Sequence, residues 1–256
     1  ALGPRVKRGE MSMGRISEFT RPTVIPFGAD RVSAAQVLET GDGYTYHLPR
    51  ITVQPGKALR LNSGGLVFGT PPPLAAIPEV ADQLLFLRGH FQHHCGIWAK
   101  SARLFIERYF EFIEMEIAAH RAELEIRLER FGSLYIPEHW AFSALRPLPR
   151  AHLEAPENPG ETPPESLVRC DIAFWPAKGA VAIELVGTTT RGATEEKWRA
   201  RLETADIRVI EIRPEQLADS DSFRACLPDD FRKFWHQEAL PAGPFRADAG
   251  PLVLPD

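Results

Sequence analysis

The run AVAIELVG, residues 180–187, sets one charged residue among apolar ones, and strand geometry sorts them onto two faces. Val181, Ile183 and Leu185 fall on one face, with Ala182, Glu184 and Val186 on the other, the period-two pattern of a strand. The preceding run SLVRCDIAFW, residues 166–175, reads as its neighbour, joined through a short turn at PAKG. A helix over 194–204 and a further strand, IRVIEI, follow. A hairpin, a helix and another strand predict an α/β unit with a mixed sheet.

Elsewhere the period changes. Ile106, Tyr109, Ile113, Ile117, Leu124, Leu128 and Phe131 recur every three to four residues or at multiples of that spacing. They predict one buried stripe on a helix of up to about 30 residues ending at Gly132. Phe231, Phe234 and Trp235 mark the packing face of a last helix over 222–237. Near the N-terminus, Ser33–Thr40 reads as a short helix, and YTYHL, ITVQ, ALRL and GLVFG read as antiparallel hairpins. Proline spacing in APENPGETPPES, residues 155–166, denies that segment regular structure, so it connects strands or forms a surface loop. The chain divides into an arm (1–30), a β-rich and helical accessory region (31–100), a core (101–240) and a loose tail (241–256).

Composition narrows the class. A hydrophobic fraction of 44% beside 25% charged residues excludes global disorder. The net charge of −4 excludes a uniformly basic surface but leaves room for a local basic patch. Cys95, Cys170 and Cys226 lack the paired spacing of a structural zinc site, and a reducing cytoplasmic setting is expected. No window is apolar enough for a membrane helix, and the basic N-terminal residues lack the apolar run of a signal peptide. The Walker lysine pattern, the dinucleotide-binding glycines and the G-x-S-x-G motif are all missing.

The chemistry gathers on carboxylates. Asp171 lies among apolar neighbours at the start of one strand and Glu184 in the middle of the next; if the strands pair, the two converge. A convergent carboxylate pair is a hard-oxygen seat for Mg²⁺ or Mn²⁺. Such a cation polarises a phosphodiester and activates the attacking water. Glu116 and Glu123 lie beside the apolar stripe of the long helix, and either would turn inward to make a third ligand. His90, His93, His94 and Cys95 form a second cluster; His90 and His94 share a helix face as two metal ligands can, but no second cluster supplies partner ligands, so a packed or nucleic-acid-facing cluster is the expected reading.

Residues 169–213, from Arg169 through Asp171 and Glu184 to the strand IRVIEI, resemble the core of the PD-(D/E)xK nuclease superfamily, in particular its small members akin to very-short-patch repair endonucleases. The resemblance implies a restriction-endonuclease-like core with a mixed sheet flanked by helices, beside the N-terminal hairpins. It also implies a Mg²⁺- or Mn²⁺-dependent endonuclease acting on nucleic acid, with DNA as the expected substrate. Asp171 and Glu184 take the two metal-binding positions. Where the family usually carries lysine, two residues after the second carboxylate, this chain has Val186. Some members move the basic residue to the following helix, which makes Lys197 the candidate, with Arg191 and Arg201 positioned for phosphate contacts. A homodimer or a partner protein is compatible with such an enzyme. The valine also fits a non-catalytic member of the fold, serving as a nucleic-acid-binding or protein-interaction scaffold, and an unrelated α/β protein is a third possibility.

Overall fold

The computed structural model describes residues 22–41, 43–63, 66–67, 77–97, 99–187, 193–236 and 240–241. It is a mixed α/β protein with several small sheets. The elements run β1 (Thr23–Pro26), β2 (Val37–Thr40), β3 (Gly43–Tyr46), β4 (Arg50–Val53), β5 (Leu66–Val67), α1 (Val80–His94), α2 (Lys100–Ala119) and α3 (Arg121–Leu128). Next come β6 (Leu148–Pro149), β7 (His152–Glu154), β8 (Leu167–Arg169), β9 (Ile172–Phe174), β10 (Val181–Leu185) and α4 (Ala193–Thr204). The chain closes with β11 (Arg208–Ile212), α5 (Pro214–Ala218), α6 (Ser220–Cys226) and α7 (Asp229–Arg232).

The central sheet has the order β11-β10-β9-β6. β9 is antiparallel to both β6 and β10, whereas β11, entering after α4, is parallel to β10. The expected hairpin, helix and strand therefore form a mixed sheet. Its two faces enter different cores. Ile172, Phe174, Val181, Ile183 and Leu185 pack with α1, α2 and the C-terminal helices, where Phe174 lies 5.0 Å from Tyr109 and 4.8 Å from Phe231 between ring centroids. Ala173, Ala180 and Ala182 face a second core closed by Leu202 and Trp198 of α4, by Ile25, Ile51 and Val53 of the N-terminal sheet, and by Phe27 just after β1. The accessory region and the core thus share apolar residues across residue 100.

Several expected elements differ. The long helix breaks at His120, whose ψ of 12° ends α2 before α3 begins. The apolar stripe continues across the break, and so the pattern alone reads as one helix. A 3-10 segment, Glu129–Leu134, follows, with Gly132 at positive φ. SLVRCDIAFW is two strands, because β8 pairs with β7 outside the central sheet and the chain changes sheets at Cys170 and Asp171. The helix expected at Ser33–Thr40 is one 3-10 turn, Ala34–Gln36, followed by strand β2, where Val37 and Leu38 pair with Tyr46 and Thr45. ALRL supplies only an isolated bridge, Arg60 to Leu145. Pro228, lacking an amide hydrogen, separates α6 from α7 where one final helix was expected. Residues 155–166 connect the antiparallel strands β7 and β8. No helix among the described residues is long and apolar enough to cross a membrane.

Candidate carboxylate site at the sheet end

The β9–β10 ladder ends at the pair Ile172 and Ile183. Asp171 immediately precedes β9, and Glu184 follows Ile183 in β10 with its side chain on the opposite sheet face from Ile183. That face also carries Ala173 and Ala182 and is covered by α4. Asp171 Oδ2 accepts a hydrogen bond from the Leu185 amide at 3.0 Å, which ties the carboxylate across the end of β10. Arg169 Nη2 stands 3.7 Å from Asp171 Oδ1.

Glu184 is 2% exposed, and Arg199 Nη2 lies 3.3 Å from its Oε2. The parallel register places Glu211 beside Glu184, and the same Arg199 nitrogen ion-pairs with Glu211. Glu184 and Glu211 consequently form a row across two adjacent strands, with one guanidinium over both, and Asp171 lies just before the third strand, β9. Burying a carboxylate this deeply requires such compensation.

Arg199, not Lys197, is the basic residue of α4 at the carboxylates. Lys197 Nζ is 2.8 Å from Glu157 Oε1, and its side chain is 62% exposed. The helix turns two residues through roughly 200°, so these two side chains point to opposite sides. Arg201 is engaged within the protein: its Nε and Nη2 donate to the carbonyls of Ala155 and Glu165, both at 2.9 Å, and pin the 155–166 connection. Arg191 lies outside the described residues. Val186 donates its amide to Ile212 O at 3.0 Å, and its side chain brings no charge to the row.

Glu116 does turn inward, but away from this site. α2 packs against the opposite sheet face, the face of Phe174 and Ile183. There Glu116, 3% exposed, ion-pairs with Arg224 of α6 and lies 4.0 Å from His120. Glu123 is half exposed and faces His120 at 3.7 Å. Among the described residues no three His, Cys, Asp or Glu side chains gather as a metal-holding group.

The histidines of the cluster pack against one another and against Phe27. His90 and His94 stack edge to face at 4.7 Å, and Phe27 contacts His94 from β1's end at 5.3 Å. Burial, with His90, His93 and Arg150 adding to it, pushes His94 down to about 4, so the ring is neutral at pH 7. Burial also pushes the Cys95 thiol up to about 12, so it is a neutral thiol at pH 7.

The fold and site thus define a mixed α/β protein with paired carboxylates at the end of its central sheet. No family model, no curated protein and no solved structure matches the chain.

Proposed function

We propose that the protein is a metal-dependent nuclease of restriction-endonuclease-like type, with DNA as its substrate and Mg²⁺ or Mn²⁺ as its cation. The observation that supports it is the hydrogen bond from the Leu185 amide to Asp171 Oδ2, which holds Asp171 at the end of β10 next to the buried Glu184. Two carboxylates there would hold the cation, which polarises the scissile phosphate and activates water when bound. Arg199 takes the role first considered for Lys197, supplying positive charge beside Glu184. Asp171 and Glu184 bind, and Arg199 neutralises.

A second reading is a non-catalytic scaffold of the same fold. Its support is equally specific: an arginine lies within ion-pair distance of each carboxylate, and Val186 stands where a lysine is usual. Mn²⁺ calorimetry separates the two. The nuclease reading requires Mn²⁺ binding and DNA cleavage in the wild type and loss of both in the Asp171→Asn, Glu184→Gln double variant. A wild type that neither binds Mn²⁺ nor cleaves any DNA, alone or with DNA present, leaves the scaffold.

A further inference from the structure

Two arginines from different strand ends converge on one carboxylate oxygen beside Asp171. Arg150 Nη1 lies 3.3 Å and Arg169 Nη1 3.2 Å from Asp30 Oδ1. The arginine side chains are 20% and 27% exposed, whereas that of Asp30 is 73% exposed. The acid is the outer member of the group.

Arg150 is held firmly. Its Nε donates to His94 O at 2.8 Å, its Nη2 donates to Gly28 O, and its amide donates to Asp171 O at 2.8 Å. Its own φ is +48°, a left-handed conformation that non-glycine residues adopt at some cost and that clusters at functional sites. The guanidinium also lies against Gly96, itself at φ +89°, where a Cβ would come within 3.2 Å of Nη1. The position is therefore built around this side chain. Arg169 closes the other side, with Nη2 directed at Asp171.

We propose that Arg150 and Arg169 form a seat for one phosphodiester of a nucleic acid, and that Asp30 occupies it until the nucleic acid displaces it. The assignment rests on the nucleic-acid reading above. A carboxylate and a phosphodiester each carry one negative charge, so the exchange leaves the charge of the seat unchanged. Asp30 is the exposed member and regains water on release, the arriving phosphodiester replaces its charge on the two mostly buried guanidiniums, and Arg150, already fixed, needs no reordering. The seat lies beside Asp171, which directs the phosphate backbone toward the carboxylate row.

The test is binding of a fluorescein-labelled DNA duplex and its single strand to the full chain in EDTA, by anisotropy over a range of salt. Asp30→Asn is expected to bind several-fold tighter than wild type. Arg169→Gln is expected to bind more weakly, with the slope of log K against log salt reduced by about 1. The Asp30→Asn, Arg169→Gln double variant loses the gain. Equal or weaker binding by Asp30→Asn, or a gain that survives Arg169→Gln, overturns the seat. Hydrogen exchange on the wild type needs no variant: amides 29–31 must exchange faster when DNA is bound, and unchanged or slower exchange overturns the displacement. Since no cation is present, the seat and the nuclease fail separately. Tighter Asp30→Asn binding without cleavage in Mn²⁺ sinks the nuclease alone, and cleavage with no Asp30 effect sinks the seat alone.

Discussion

Arg199 reaches Glu184 and Glu211 with one guanidinium nitrogen, so a single side chain of α4 neutralises the two carboxylates that β10 and β11 place side by side. The arrangement makes Arg199 a tethered cation on a buried acid. Arg199→Met removes that charge while keeping most of the volume, and leaves Glu184 far less compensated in the interior. We expect a loss of about 1–3 kcal/mol, below the range for fully buried pairs because Arg199 is itself partly exposed. Under the nuclease reading Mn²⁺ restores part of that loss, so its stabilising effect is larger in Arg199→Met than in wild type. Thermal melts with and without Mn²⁺ measure it, and an equal Mn²⁺ response in both proteins contradicts the cation seat.

Lys197→Ala should change little. Its partner Glu157 and Lys197 itself are both exposed, and pairs of that kind contribute roughly 0–1 kcal/mol. Cleavage by Lys197→Ala is expected within about twofold of wild type, while Arg199→Ala lowers kcat by an order of magnitude or more. A large kcat loss in Lys197→Ala would return the catalytic role to the lysine.

Glu116→Ala separates structure from chemistry. It strips Arg224 of its buried partner and opens space beneath α6, for an expected loss of about 1–3 kcal/mol by urea denaturation. Calorimetric Mn²⁺ affinity should stay unchanged, because α2 lies on the other side of the sheet from Glu184. A weakened Mn²⁺ affinity in a folded Glu116→Ala protein would make it a ligand after all.

Acid should destabilise the contact between the N-terminal segment and the end of α1. Burial lowers His90, His94 and His152, and the last of these bonds Ala29 O at 3.0 Å. Arg146 and Arg150 add positive charge nearby, while Asp30 opposes the shift at His152. A depressed folded-state value means the unfolded chain binds protons first, so the stabilisation present above pH 6.5 declines as the pH falls toward about 4, the folded value for His94. Melting temperature measured over this window should fall less steeply in His94→Gln than in wild type. Parallel curves would show that His94 does not carry the effect.

Arg146 is 2% exposed, and among the described residues no acid pairs with it; its contact is Nη2 to Leu61 O at 2.5 Å. Burial alone lowers it to about 10, so it remains charged at pH 7. Replacing an uncompensated buried charge with an apolar side chain of similar length is often neutral or stabilising. Arg146→Met should therefore melt at or above the wild-type temperature, and a drop of several degrees would show that the hydrogen bond to Leu61 O outweighs the cost of burying the charge.

The local pattern determined the central hairpin, α4 and β11. Alternation over Val181–Leu185 states which side chains face which core, because strand geometry leaves each residue only two choices. The antiparallel register of Ile172–Phe174 with Val181–Ile183 follows once the short PAKG turn closes. Helical period likewise found the buried stripe of α2 and α3, but a stripe survives a break of one residue, and His120 was invisible to it.

What the sequence could not decide was partnership between elements distant along the chain. Lys197 and Arg199 are equally plausible bases on a surface helix; only the packing of Trp198 and Leu202 into the second core turns Arg199 toward the row and Lys197 toward Glu157. Glu116 needed the knowledge that α2 covers the Phe174 face, and Glu211 needed the parallel register of β11. Asp30, Arg150 and Arg169 are separated by more than a hundred residues of chain from first to last. Periodicity acts through neighbours a few residues apart, whereas charge pairing acts through space, and only the folded chain brings those three together.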